Sequence, residues 1–235
     1  MTFPASALSA HEPALASAVL NHGFALSRAA RLPEALAASE EAVALGRVAV
    51  ERHGRVHERG LAMALDNLGT DLFRAGRREE ALAALEEAVL ILQSVVSHEP
   101  GREPLLISVL AKLGFLHSSM ERWPELVEVA TELVVRHRRL AAADPVAHEP
   151  ALAGYLGDLG VSLWRAGRPD EALEVGVQAA EVYRRLAAGD PGAFLEKLRT
   201  VEAARANGLE SVGREAEAAE IRERLRSDPG CTGNG

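Results

Sequence analysis

The segment DNLGTDLFRAGRREEAL (residues 66–82) returns as GDLGVSLWRAGRPDEAL (residues 157–173), and this match decides the fold. Two more copies align with it without a gap: LNHGFALSRAARLPEAL (20–36) and AKLGFLHSSMERWPELV (111–127). One column holds Gly23, Gly69, Gly114 and Gly160, so the chain repeats in steps of 46, 45 and 46 residues. Seven positions on stand Ala30, Gly76, Glu121 and Gly167, each followed by arginine: Arg31, Arg77, Arg122 and Arg168. Three positions beyond each arginine comes Glu34, Glu80, Glu125 or Glu171, then Ala35, Ala81, Leu126 or Ala172. A weaker fifth copy supplies Ala206, Gly213, Arg214 and Ala218. A fixed period of this length marks an array of stacked supersecondary units.

Each column has a physical reason. Leu61, Leu65, Leu68 and Leu72 fall at helical spacing, so the first half of each unit is an amphipathic helix, here helix A. The small residue at its centre lets a second helix cross closely. The Ala-Gly-Arg turn ends helix A, because glycine takes the left-handed conformation at a helix C-terminus. Pro33, Pro124 and Pro169, or an acidic residue, then open helix B, where a missing N–H and negative charge are both favourable. Helix B carries its own stripe, as in Ala81, Leu82, Leu85, Ala88, Val89 and Leu92. His11-Glu12-Pro13 recurs as His148-Glu149-Pro150 and reads as the start of helix A with proline in its first turn.

Composition agrees with an all-α chain. It is 48% hydrophobic but only 4% aromatic, and rich in the strong helix formers Ala, Leu, Glu and Arg. The net charge of -8, with basic residues dispersed among carboxylates, speaks against a nucleic-acid partner. The sequence shows no uninterrupted transmembrane run and no basic, apolar leader, so the expectation is a cytoplasmic protein with no membrane partner. A single cysteine, Cys231, excludes a disulfide or cysteine–zinc framework. His53 and His57 have the spacing of two metal ligands on one helix face, but Gly54 lies between them and no third ligand accompanies them. They read as solvated loop histidines. Phosphate-binding, dinucleotide, nucleophile-elbow and zinc-protease motifs are all missing, so neither enzyme activity nor a cofactor is expected.

The Leu-Gly pair in helix A, the Gly-Arg turn, the Glu-Ala pair and the later small residue of helix B together resemble the tetratricopeptide repeat. The resemblance spans residues 11–230 and implies a right-handed α-solenoid. Its units lie at 11–56, 57–101, 102–147, 148–193 and 194–230, between flexible tails at 1–10 and 231–235. The step exceeds the usual one of about 34 residues, and the extra length is placed in helix B and its exit loop. In this the chain looks like the longer repeats of kinesin light chains and large bacterial signalling proteins. The proline that closes a typical repeat is missing inside the first four helix-B segments and is restored at Asp228-Pro229, in a shorter, charged last unit that suits a solvent-facing cap.

What the resemblance implies about function follows by register. Helix A lines the concave groove of such arrays, where ligands bind. The positions brought there are Leu20, Phe24, Ser27 and Arg28, then Asp66, Thr70, Phe73 and Arg74. Ala111, Phe115, Ser118 and Ser119 follow, and finally Gly154, Gly157, Val161, Trp164 and Arg165. Aromatic and arginine anchors are enriched in binding hot spots. The implied function is an adaptor or scaffold holding a peptide or partner domain, with Arg28, Arg74 and Arg165 favouring acidic groups. The same arginines would also suit helix ends near the turn, by complementing the helix dipole. The Lys and Asn set of the chaperone-binding carboxylate clamp is not matched, with only Asn21 and Asn67 in part. Gly154 and Gly157 mark either close packing by a neighbouring helix or room beside Trp164 for a ligand. A ligand-responsive regulatory module is the alternative function, and a small-molecule-binding protein or enzyme using the groove as a pocket is a third. Self-association as a homodimer is a further expectation.

Overall fold

The computed structural model describes the backbone of residues 5–227 and the side chains of residues 14–227. Every regular element among them is helical: α1 (Ala5–Arg28), α2 (Leu32–His53), α3 (Glu58–Arg74), α4 (Arg78–His98), α5 (Glu103–Ser119), α6 (Trp123–Ala143), α7 (Pro145–Arg165), α8 (Pro169–Gly189), α9 (Pro191–Ser211) and α10 (Glu215–Ser227). Successive helices pack on one another from α1 to α5 and from α6 to α10, and by sequence register the odd helices are helices A and the even ones helices B. Asp228-Pro229, Cys231 and the 231–235 tail lie outside the described residues. The contacts divide the chain into two compact units, Met1–Met120 and Glu121–Gly235, whereas the sequence suggests one repeat domain over 11–230. α1 begins at Ala5, inside the stretch read as a tail.

The turn between helices A and B bears out the glycine column and sharpens it. Gly76, Gly167 and Gly213 have φ of 79°, 75° and 78°, and the same left-handed turn is held by Ala30 at 58° and Glu121 at 56°. At Gly76 the chain closes with its N–H donating to the Phe73 carbonyl (3.0 Å) and the Arg77 N–H donating to the Leu72 carbonyl (2.9 Å). These two bonds satisfy carbonyls that the helix end would leave open. A side chain in that conformation costs about 1–2 kcal/mol, so Ala30 and Glu121 are strained where glycine is not. The following arginine stands at the N-cap of helix B and reaches forward to the glutamate three residues on. Arg77, Arg168 and Arg214 each make a two-bond fork, to Glu80, Glu171 and Glu217, at 2.6–2.7 Å. Arg31 makes both bonds to one oxygen of Glu34. Sequence comparison found the columns; the fork explains why they travel together.

Two expectations are corrected. Pro150 does not open a helix: it lies inside α7, which starts at Pro145. The capping residue there is Asp144, whose carboxylate accepts the Ala147 N–H at 3.1 Å, and Asp190 does the same for Ala193 at 3.0 Å. Prolines therefore do close the earlier repeats, at Pro100, Pro145 and Pro191, each just past the end of a helix B. The extra repeat length resides in helix B, since α2, α4, α6 and α8 have 21 or 22 residues, and in the first unit also in the exit segments Arg55–His57 and Pro100–Arg102, as expected; in the second unit helix A takes a share, since α7 and α9 have 21.

The core of the first unit is built on Leu65, Leu92, Leu106, Leu110 and Leu116, all essentially sealed from solvent. α4 is long and apolar enough to cross a membrane by composition. It is also a packed helix, with Ala81, Leu85, Ala88 and Leu92 buried. The core of the second unit gathers Val127, Ala130 and Val134 of α6 with Leu152, Leu156 and Leu163 of α7, and Ala179, Val182 and Tyr183 of α8.

Candidate interaction site

In the first unit, α1, α3 and α5 are joined side by side through polar contacts. The Arg74 guanidinium donates to the Ser27 carbonyl (2.9 Å) and to the Ser27 hydroxyl oxygen (2.8 Å). The Ser27 hydroxyl donates to Asp71 (2.6 Å), and Ser39 of α2 donates to the other oxygen of that carboxylate (2.9 Å). Asp71 is buried, so these bonds replace the water it has lost. Further along, the Lys112 ammonium donates to both oxygens of Asp66, at 2.6 and 2.8 Å. Phe73 meets Phe115 edge to face at 5.6 Å.

The residues expected to face a ligand therefore divide. Phe24 and Phe115 are open, 52% and 63% exposed, and the Arg28 guanidinium lies 6.0 Å from the Phe24 ring. Arg74 ties two hairpins together rather than standing free. Asp66 is nearly buried and engaged by Lys112. Ser39, Asp71 and Lys112 were not anticipated. The available signal was Asp71, a carboxylate on a helix face otherwise carrying Leu65, Leu68 and Leu72.

In the second unit a cavity of about 710 Å³ opens between α7, α8 and α9. Its origin is visible by register. Leu85, sixteen residues past the Gly69 column, corresponds to Gly176, and Asp66, three residues before it, corresponds to Gly157. On the next helix A, counted from Gly114 and Ala206, Lys112 corresponds to Ala204, Phe115 to Asn207 and Leu116 to Gly208. Five sizeable side chains have become small or polar ones. The effect is measurable at the shared column. A Cβ on Gly69 would come within 2.7 Å of Leu85, whereas one on Gly160 would meet only the Ala172 carbonyl at 3.7 Å.

Trp164 and Arg165 both line this cavity, and so does Gly157. Trp164 leans on Gly208, where a Cβ would come within 3.2 Å of its ring, and is 38% exposed. Arg165 lies over the Trp123 ring at 5.7 Å. A Cβ on Gly154 or Gly157 would meet nothing within 4 Å, so close helix packing is not what these glycines serve. Gly157 opens onto the cavity and Gly154 lies outside its lining. Arg205 covers Gly176 with its stem, 2.9 Å from where a Cβ would sit. On α7 burial raises Asp158 above its ordinary value; burial and then the Asp158 charge raise Tyr155 of α7 and Tyr183 of α8. His53 and His57 lie edge to face with ring centroids 5.6 Å apart. Among the described residues no three His, Cys, Asp or Glu side chains gather as a metal site.

With this geometry in place, the comparisons with known proteins define the class. The tetratricopeptide repeat family model matches residues 61–100 and 152–190, that is α3–α4 and α7–α8. Those two hairpins are tetratricopeptide repeats. The fold of the chain is that of solved repeat solenoids. A Podosopora anserina protein assigned as a kinesin light chain, with nearly identical TPR-like repeats, superposes with a TM-score of 0.64 at 17% identity, covering 95% of this chain and 99% of that one. YrrB, described as a TPR protein with an unusual peptide-binding site, gives 0.54 at 17% identity over 86% and 80% of the two chains. MamA from Desulfovibrio magneticus RS-1 gives 0.51 at 14% identity over 93% and 97%. No curated protein matches the sequence.

Proposed function

We propose that the protein is a cytoplasmic interaction adaptor that holds a polypeptide partner on its helix-A faces. The observation that carries this reading is the aromatic row of the first unit. Phe24 on α1 and Phe115 on α5 stand 52% and 63% exposed, with Phe73 of the intervening helix A packed on Phe115. A tetratricopeptide scaffold places one such ring per repeat, and rings that a folded chain leaves in water are the type of group found in hot spots. Arg28 beside Phe24 meets no carboxylate among the described residues, which favours acidic groups on the partner. Trp164, Arg165, Gly154 and Gly157 form the corresponding face of the second unit. YrrB, one of the fold neighbours, is described by its peptide-binding site, and that description supports the reading for this fold.

The test is a Phe24→Ala, Phe115→Ala double variant. Both rings are too exposed for their loss to unfold the chain. A partner captured by the wild type, identified and re-purified, should bind the variant more weakly by roughly 2 kcal/mol or more. Equal affinity in the folded variant overturns the helix-A assignment. Sedimentation of the protein alone separates a foreign partner from a second copy occupying the same face.

A further inference from the structure

We propose that the cavity between α7, α8 and α9 binds a small organic acid, an apolar body of drug-like size ending in a carboxylate. The proposal goes beyond the adaptor reading, which the Phe24 and Phe115 rings of the first unit carry, and shares with it only Gly157, Trp164 and Arg165. Its basis is the register match with the first unit. There, the same trough is occupied by the chain itself: Leu85 presses on Gly69, Leu116 is buried, and the Asp66 carboxylate is held by a cation. In the second unit the apolar groups and the carboxylate are both removed, by Gly176, Gly208 and Gly157. The Arg205 stem covers Gly176 and Trp164 leans on Gly208, yet an open space remains. Its volume of about 710 Å³ lies within the range of about 300–1,000 Å³ usual for pre-formed small-molecule sites.

Positive charge remains on the wall of that space. Arg165 rests on the Trp123 ring and meets no carboxylate among the described residues. Arg205 spends one terminal nitrogen on Glu202, yet its Nε–H is buried with no acceptor. Both arginines line the cavity, and a guanidinium there pairs with a carboxylate by charge-assisted hydrogen bonds. The position of the missing carboxylate, Gly157, and the two arginines line the same cavity. The ligand's body then rests on Gly157, Val161 and Trp164, and its carboxylate meets Arg205 and Arg165. The ligand returns to the second unit what the first unit keeps as side chains.

Calorimetric titration of the full chain with octanoate and, separately, with octanol tests this. Octanoate should bind at one saturable site, at least about tenfold tighter than the neutral alcohol, the ratio expected of a charge-assisted bond. Arg205→Met should abolish that preference. Gly157→Leu places its side chain in open volume, so it should melt no lower than wild type while losing octanoate binding. Equal affinity for acid and alcohol, or no saturation by octanoate up to about 1 mM, overturns the proposal. So does unchanged binding by Gly157→Leu, or occupation of the cavity only by an apolar peptide. The adaptor test reads protein capture through Phe24 and Phe115, so either idea can fail alone.

Discussion

The α3–α4–α5 and α7–α8–α9 segments are two readings of one design, the first filled and the second hollow. Both have the glycine column, the left-handed turn and the arginine fork. They differ at a handful of positions facing the space between two helices A and one helix B. In the first, Leu85 sits within van der Waals reach of Gly69 and Lys112 closes on Asp66. In the second, glycine replaces both Leu85 and Asp66 at the matching positions. The lesson is that columns which make the fold and columns which make a site are separate, even on the same helix.

The largest expected effect comes from hollowing the filled segment. Leu85→Gly should destabilise the protein by about 3–5 kcal/mol, combining a buried leucine cavity with glycine's helix penalty. Denaturant unfolding gives the number; a loss below about 1 kcal/mol would mean that the trough closes on itself and is no counterpart of the cavity. Next come matched substitutions in the shared column. Gly69→Ala should cost about 1–3 kcal/mol through overpacking against Leu85, whereas Gly160→Ala should be neutral or gain up to about 1 kcal/mol. Equal effects at the two sites would erase the distinction drawn between the segments. Glu121→Gly should then stabilise by about 1 kcal/mol by relieving a left-handed glutamate, read as a rise in melting temperature. No rise would argue that Glu121 recovers its strain energy through other contacts.

The smallest effect concerns what the two segments share. The hydrogen-bonded arginine holds Glu80 and Glu171 below the ordinary carboxylate value of 4.5. A depressed folded-state value means that each fork stabilises above that pH and loses its effect as pH falls through the folded value. The forks are fully exposed, so the effect is small and screened by salt. Glu80→Gln and Glu171→Gln should lower the melting temperature slightly at pH 7, and the difference should shrink as the pH falls below 4.5. A difference that persists in acid would show that the side chains act by packing instead.

The repeat, its turn and its helix pairs were legible because they recur: a column seen four times in one chain carries its own control. Pro150 misled because His-Glu-Pro also recurs, and recurrence does not tell the first turn of a helix from its second. Asp144 and Asp190, each followed by proline, held the true start signal. The aromatic and arginine positions on helix A were also legible by register. Their partners were not, because Ser27, Asp71 and Lys112 come from neighbouring repeats and act only once hairpins stack. The cavity escaped for a related reason. Gly154 and Gly157 drew attention on helix A, but the decisive exchanges, Gly176 on helix B and Gly208 on the next helix A, needed a comparison across three helices.

Asp144 and Asp190 are each a one-residue junction, ending one helix and capping the next, with nearly identical φ/ψ of -141°/89° and -139°/85°. A joint with a single residue has no slack. Its two dihedral angles carry the whole orientation of one helix to its successor, so an insertion there would rotate everything downstream. Between α2 and α3, or α4 and α5, a short 3-10 turn intervenes instead and offers residues that can be spared. Change in chain length should therefore collect at the looser joints of the first unit. The aspartate joints of the second can be copied whole, but they cannot be stretched.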